Sequence, residues 1–71
     1  MNLQTDFTTH KDDLLILDIL NFAKRQGNII ASKQIEHEIS KHYRQGTNQF
    51  DIIKGHCLMY LQFNGIRISY F

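Results

Sequence analysis

Leu58-Met59-Tyr60-Leu61-Gln62-Phe63-Asn64-Gly65-Ile66-Arg67-Ile68-Ser69-Tyr70-Phe71 is the stretch that decides the fold. An apolar run ends at a glycine, and apolar and polar residues then alternate. Glycine takes left-handed backbone angles at the least cost, so it marks the residue after a helix. Alternation with a period of two marks a strand. The same punctuation occurs earlier, where Leu14-Leu15-Ile16-Leu17-Asp18-Ile19-Leu20-Asn21-Phe22-Ala23 leads to Gly27 and then Asn28-Ile29-Ile30. The order is therefore helix, short extended piece, helix, helix, strand. The chain reads as mainly α, with three helices near 10–26, 32–44 and 48–63 and a short C-terminal strand near 66–70.

Capping chemistry sets the boundaries. Thr9 suits the cap of the first helix, with Asp12 as a short-armed capping-box partner. Asp12 and Asp13 suit the positive end of its dipole, and Lys24 and Arg25 the negative end. Ser32 suits the cap of the second helix, Gly46 its stop, and Thr47 or Asn48 the cap of the third, with Asp51 at the box position. Ile35 and Ile39 give the second helix a narrow inward stripe that Tyr43 extends. Phe50, Ile53, Cys57, Tyr60 and Leu61 share one face of the third, which Ile52, Met59 and Phe63 widen. Gly55 interrupts that helix at a cost of about 1 kcal/mol relative to alanine and would permit a close helix contact. The expected core is Ile19, Phe22, Ile35, Ile39, Phe50, Ile53, Cys57 and Leu61. Residues 1–8 read as a flexible N-terminus and 9–71 as one domain.

At 71 residues the chain forms one domain at most, and domains of this size are marginally stable alone. Cys57 is the only cysteine, so an internal disulfide and a thiolate-built zinc site are excluded. Hydrophobic residues make up 42%, ordinary for a folded domain. The N-terminus lacks a secretory pattern, and no apolar run approaches a membrane span. A cytoplasmic bacterial or phage protein with no membrane association is expected.

Clusters of chemical residues point away from catalysis. Glu38 and His42 at helical i, i+4 spacing could clamp a metal, but an i, i+4 pair on a solvated helix face explains them better. Cys57 falls on the inward stripe and reads as a small apolar residue rather than a nucleophile. Asp12 and Asp13 do not face each other on a helix. No enzyme activity, cofactor or metal is expected.

Charge and exposed apolar surface remain. Residues 1–23 sum to −3 and residues 24–71 to +4, and such asymmetry can mark a polyanion partner. If the second and third helices form a helix-turn-helix, the third enters the major groove by its N-terminal end. Thr47, Asn48, Gln49 and Lys54 would meet bases, and Lys33, Lys41, His42 and Arg44 would meet phosphates, with Arg67 at a wing position. The first helix is apolar nearly all round, which fits either central burial or a second contact face. The strand at 66–70 needs a partner, and Asn28–Ile30 is the internal candidate. A homodimer or obligate complex is therefore expected, through Leu14, Leu15 and Ile16 on the first helix, Tyr70 and Phe71 on the tail, or both.

Residues 12–71 resemble the winged-helix regulators. Gln26-Gly27-Asn28-Ile29-Ile30-Ala31-Ser32-Lys33-Gln34-Ile35-Glu36 looks like that family's turn into its second helix. Leu58 to Ile68 looks like a recognition helix running into a wing, so the fold this resemblance implies is a reduced winged-helix-like domain. The link Arg44-Gln45-Gly46-Thr47 is longer than the family's tight turn, and only one wing strand is present. The resemblance implies a small DNA-binding transcriptional regulator. Residues 14–61 also look similar to the small enterobacterial connector proteins of the YmgB/AriR biofilm and acid-resistance family, through the helix ending at Gly27, then Lys33 and Ile35, then the apolar helix at Ile52–Leu61. That resemblance implies an all-helical, dimeric modulator of signalling. The rival expectation to a DNA-binding regulator is therefore a non-catalytic protein-binding adaptor or inhibitor, a connector or an anti-host or anti-phage modulator, acting by protein–protein contact without DNA.

Overall fold

The structure is a computed structural model and describes residues 10–70. Its elements run α1 (His10–Arg25), β1 (Ile29–Ala31), α2 (Ser32–Ser40), α3 (Asn48–Phe63) and β2 (Arg67–Ser69). The fold is mainly α, with three helices and one short strand pair. Among the described residues no helix is long and apolar enough to cross a membrane.

Both long helices end by the same device. At the end of α1, Asn28 N–H bonds Ala23 O at 2.9 Å and Gly27 N–H bonds Lys24 O at 3.2 Å. At the end of α3, Ile66 N–H bonds Leu61 O at 2.9 Å and Gly65 N–H bonds Gln62 O at 3.0 Å. These are paired six-to-one and five-to-two closures around a left-handed residue, with φ of 91° at Gly27 and 78° at Gly65. Each cap delivers the chain into a strand. The strands pair in parallel, with Ile29 opposite Arg67, Ile30 opposite Ile68 and Ala31 opposite Ser69. The tail therefore finds its partner inside the chain.

The core lies among all three helices and the strand pair. Ile16, Ile19, Leu20 and Ala23 enter it from α1, at the spacing of one helix face. Ile35 and Ile39 enter from α2, Phe50, Ile53, Cys57 and Leu61 from α3, and Ile30 and Ile66 from the strand segments. Seven of the eight expected core residues are buried, and Phe22 is half-buried against them.

The second helix is shorter than its apolar stripe predicts. It ends at Ser40, whose hydroxyl donates to His37 O at 2.7 Å, a local bond that competes with helix continuation. Tyr43 leaves the helix, and its hydroxyl donates to the Asp12 carboxylate at the start of α1. Asp12 is only 2% exposed, so it serves as the far anchor of this link as well as a helix-start charge. That bond, burial and the carboxylate's charge hold the Tyr43 phenol above its usual 10.0. Ser32 does not cap α2; β1 passes straight into the helix, and Ala31 stands at the cap position without a side-chain bond. Thr47 caps α3, its Oγ1 accepting from Phe50 N–H at 3.2 Å. Phe50 therefore takes the third helical position, and Asp51 is no capping-box residue. Gly46 sits in the link before α3 rather than at the end of α2. Thr9 lies outside the described residues.

Gly55 differs from the caps. A β-carbon placed there meets nothing within 4 Å, so no close internal helix contact uses it. Gly55→Ala is expected to stabilise the fold by up to about 1 kcal/mol. Gly65→Ala, forced to a positive φ, is expected to destabilise it by about 1–2 kcal/mol. Urea unfolding of the two variants should shift in opposite directions. Tyr43→Phe removes a bond to a charged acceptor and should cost about 1–2 kcal/mol in the same assay, at the lower end because Tyr43 is half-exposed.

Candidate interaction surfaces

An apolar groove of about 560 Å³ runs between α1 and α3. Ile16 and Leu17 form one wall and Met59, Tyr60 and Phe63 the other. Asp13 on α1 and His56 on α3 are its polar members, one on each wall. On both helices these residues recur at i, i+3 and i+4, so each wall is one helical stripe. Phe63 is 93% exposed and Met59 is 73% exposed.

The groove follows from how α3 divides its apolar residues. Phe50, Ile53, Cys57 and Leu61 form the buried stripe. A helix packed on one side buries a stripe about 100° wide. Residues 56, 59, 60 and 63 fall on the adjacent stripe and stay at the surface. The sequence reading placed Met59, Tyr60 and Phe63 on a widened inward face, and here the structure corrects it. The missed signal is the second i, i+3, i+4, i+7 set, beginning one residue before Cys57.

The residues expected at a partner interface separate. Leu14 and Tyr70 are exposed, Leu15 is half-buried against the core, and Ile16 is buried, reaching the groove only as part of its wall. Phe71 lies outside the described residues. Leu17, absent from that expectation, is exposed and lines the groove.

The residues expected to meet nucleic acid are mostly exposed, but they do not form one basic surface. Lys33 is in the first turn of α2, Lys41, His42 and Arg44 are in the link, and Thr47, Asn48 and Gln49 open α3; all are exposed. Asn48 and Gln49 keep their side chains free of hydrogen bonds to the described residues. Two cations are already engaged. Lys41 pairs with Glu38 at 3.3 Å. Lys54, half-buried, pairs with Glu36 across the α2–α3 contact and does not face outward. The outward face of α3 then holds Asn48, Asp51, Gly55, Met59, Gln62 and Phe63, with no cation. Arg67 is exposed on β2 beyond the C-terminal end of α3, a helix about 24 Å long, so it is remote from Asn48.

The Glu38–His42 pair does not form, because α2 ends before His42 and Glu38 instead accepts from Gln34 at 3.1 Å and from Lys41. Among the described residues no three His, Cys, Asp or Glu side chains gather where a metal could be held. Cys57 is fully buried in the core, and desolvation pushes its thiol up to about 12. Comparison with protein-family models, curated proteins and solved structures finds no match.

The raised Cys57 thiol has a measurable consequence. The native protein is expected to resist Ellman's reagent at pH 8 and to react stoichiometrically in urea. The fold favours the protonated thiol, so this contribution to stability is intact below the unfolded value of 9.0 and is lost as pH rises towards 12. Urea midpoints measured from pH 8 to 11 should fall, and rapid labelling of the folded protein at pH 8 would contradict the burial.

Proposed function

We propose that this chain is a small non-catalytic regulatory module that works by protein–protein contact through the α1–α3 face. The apolar groove carries this reading. Exposed apolar residues scattered singly are normal, but large apolar side chains exposed contiguously and rimmed by polar residues mark interaction sites. Leu17, Met59, Tyr60 and Phe63 lie together on such a face. Aromatic and methionine side chains are the types enriched at the centres of interfaces. The small-connector resemblance implies the same kind of action, although the β1–β2 pair departs from the all-helical fold it implies. The groove's described lining, mostly apolar with Asp13 and His56 on opposite walls, suits a binding role.

A second reading, a cytoplasmic DNA-binding regulator, is favoured by one observation. Asn48 and Gln49 project unengaged from the capped start of α3, and Lys33 and Arg44 belong to the same α2–α3 segment without ion partners among the described residues. The order of elements, with a strand between the first two helices paired to one after the third, agrees with the winged-helix resemblance. Against it stands the outward face of α3, which offers Asp51 and no cation to a polyanion.

Salt dependence separates the two. Each phosphate neutralised contributes about −0.9 to the slope of log affinity against log salt, so Lys33 and Arg44 together predict a slope near −2. Fluorescence anisotropy of a labelled random-sequence duplex at low salt and micromolar protein is expected to show no saturable rise. A rise with that slope, weakened by joint replacement of Lys33 and Arg44 and altered in base preference by Asn48→Ala, would replace the protein-contact reading with the DNA one.

A further inference from the structure

We infer that the occupant of the α1–α3 groove is a second copy of this chain, related by a two-fold axis; this rests on the protein-contact reading and fixes its partner. A two-fold interface is made of the same patch on both molecules, so the patch must complement itself. The α1–α3 face carries both halves of each complement. Its concave part is the groove that Ile16 and Leu17 line against Met59 and Tyr60, and its projecting part is Phe63, which closes the end of the α3 wall and stands almost wholly in water. A facing copy offers its Phe63 to the groove and receives the other.

The polar members follow the same rule. Asp13 supplies only acceptors when ionised, and the His56 imidazole supplies at least one N–H in either protonation state. They stand on opposite walls, one on α1 and one on α3. Two-fold pairing brings the Asp13 of each copy towards the His56 of the other, satisfying both groups twice at the edge of an apolar contact. A foreign helix would need to bring its own donor and acceptor to match them.

Sedimentation velocity of the full chain across micromolar concentrations tests the pairing. The wild type is expected to sediment as a dimer of the 8.4 kDa chain. Joint Met59→Glu and Phe63→Glu should give a monomer with unchanged helical circular dichroism, because both residues are exposed in the single chain. Asp13→Lys should weaken dimerisation about tenfold, and adding His56→Asp to it should restore the affinity, which a purely helix-start role for Asp13 would not allow. A wild type that stays monomeric overturns the inference. If such a monomer also binds an apolar dye that the Met59→Glu, Phe63→Glu protein does not, the groove is open to a different partner, and the protein-contact reading survives alone. A dimer indifferent to all these substitutions uses another surface and overturns the inference.

Discussion

The parallel pairing of Ile29–Ala31 with Arg67–Ser69 is the constraint on which the arrangement depends. Two strands of three residues cannot stand alone in water. They persist because Ile30 and Ile66 reach the core and because Arg67 N–H extends the ladder to Asn28 O at 2.9 Å. The two helix–glycine–strand units run in step. Gly65 follows Gly27 by 38 residues, and Arg67 follows its partner Ile29 by the same 38. Equal spacing from cap to strand means that pairing the strands in register also fixes the ends of α1 and α3 at one edge. The two long helices must then lie as neighbours, with α2 packed against both. A shift of one residue at either glycine would put the wrong faces of β1 and β2 towards the core.

That constraint also explains why an apolar groove is left open. With α1 and α3 fixed side by side and α2 covering one flank, each long helix has one inner stripe to bury. Both carry more apolar residues than one stripe can hold. The surplus, Leu17 on α1 and Met59, Tyr60 and Phe63 on α3, accumulates on the flank that α2 does not cover. Charge is divided by the same geometry. Lys54 turns to Glu36 on α2, the covered side, so the uncovered side of α3 has no cation.

Element existence was legible in the sequence because glycine chemistry is local. Gly27 and Gly65 announce helix ends through backbone sterics alone, and the inward positions 50, 53, 57 and 61 follow from period. The bounds of α1 and α3 fall within a residue of expectation for that reason. The end of α2 was not legible. Tyr43 continues the Ile35 and Ile39 stripe on paper, and only the distant Asp12, 31 residues earlier, draws it out of the helix. Asp12 misled for the same reason, since an acid in a first turn has a sufficient local explanation. The groove was half legible. The surplus of apolar residues on the first helix was apparent, but which of them lie outside depends on where α2 docks, and a single helix pattern does not carry that information.

Size gives the exposed face its weight. Small domains keep only about 5–15 kcal/mol of net stability, and this chain sits at the small end of the size range. Burying one fully exposed phenylalanine contributes about 1.5–3 kcal/mol. Covering Phe63 and Met59 together is thus comparable with a substantial fraction of what holds the single chain folded. A partner on this face is then linked to folding by mass action, since whatever binds only the native state stabilises it in proportion to its concentration. For a partner that is a second copy, the concentration that matters is the protein's own. Stability and abundance would then be coupled, and the apolar face left exposed in the single chain would make its folded state respond to how much of it is present.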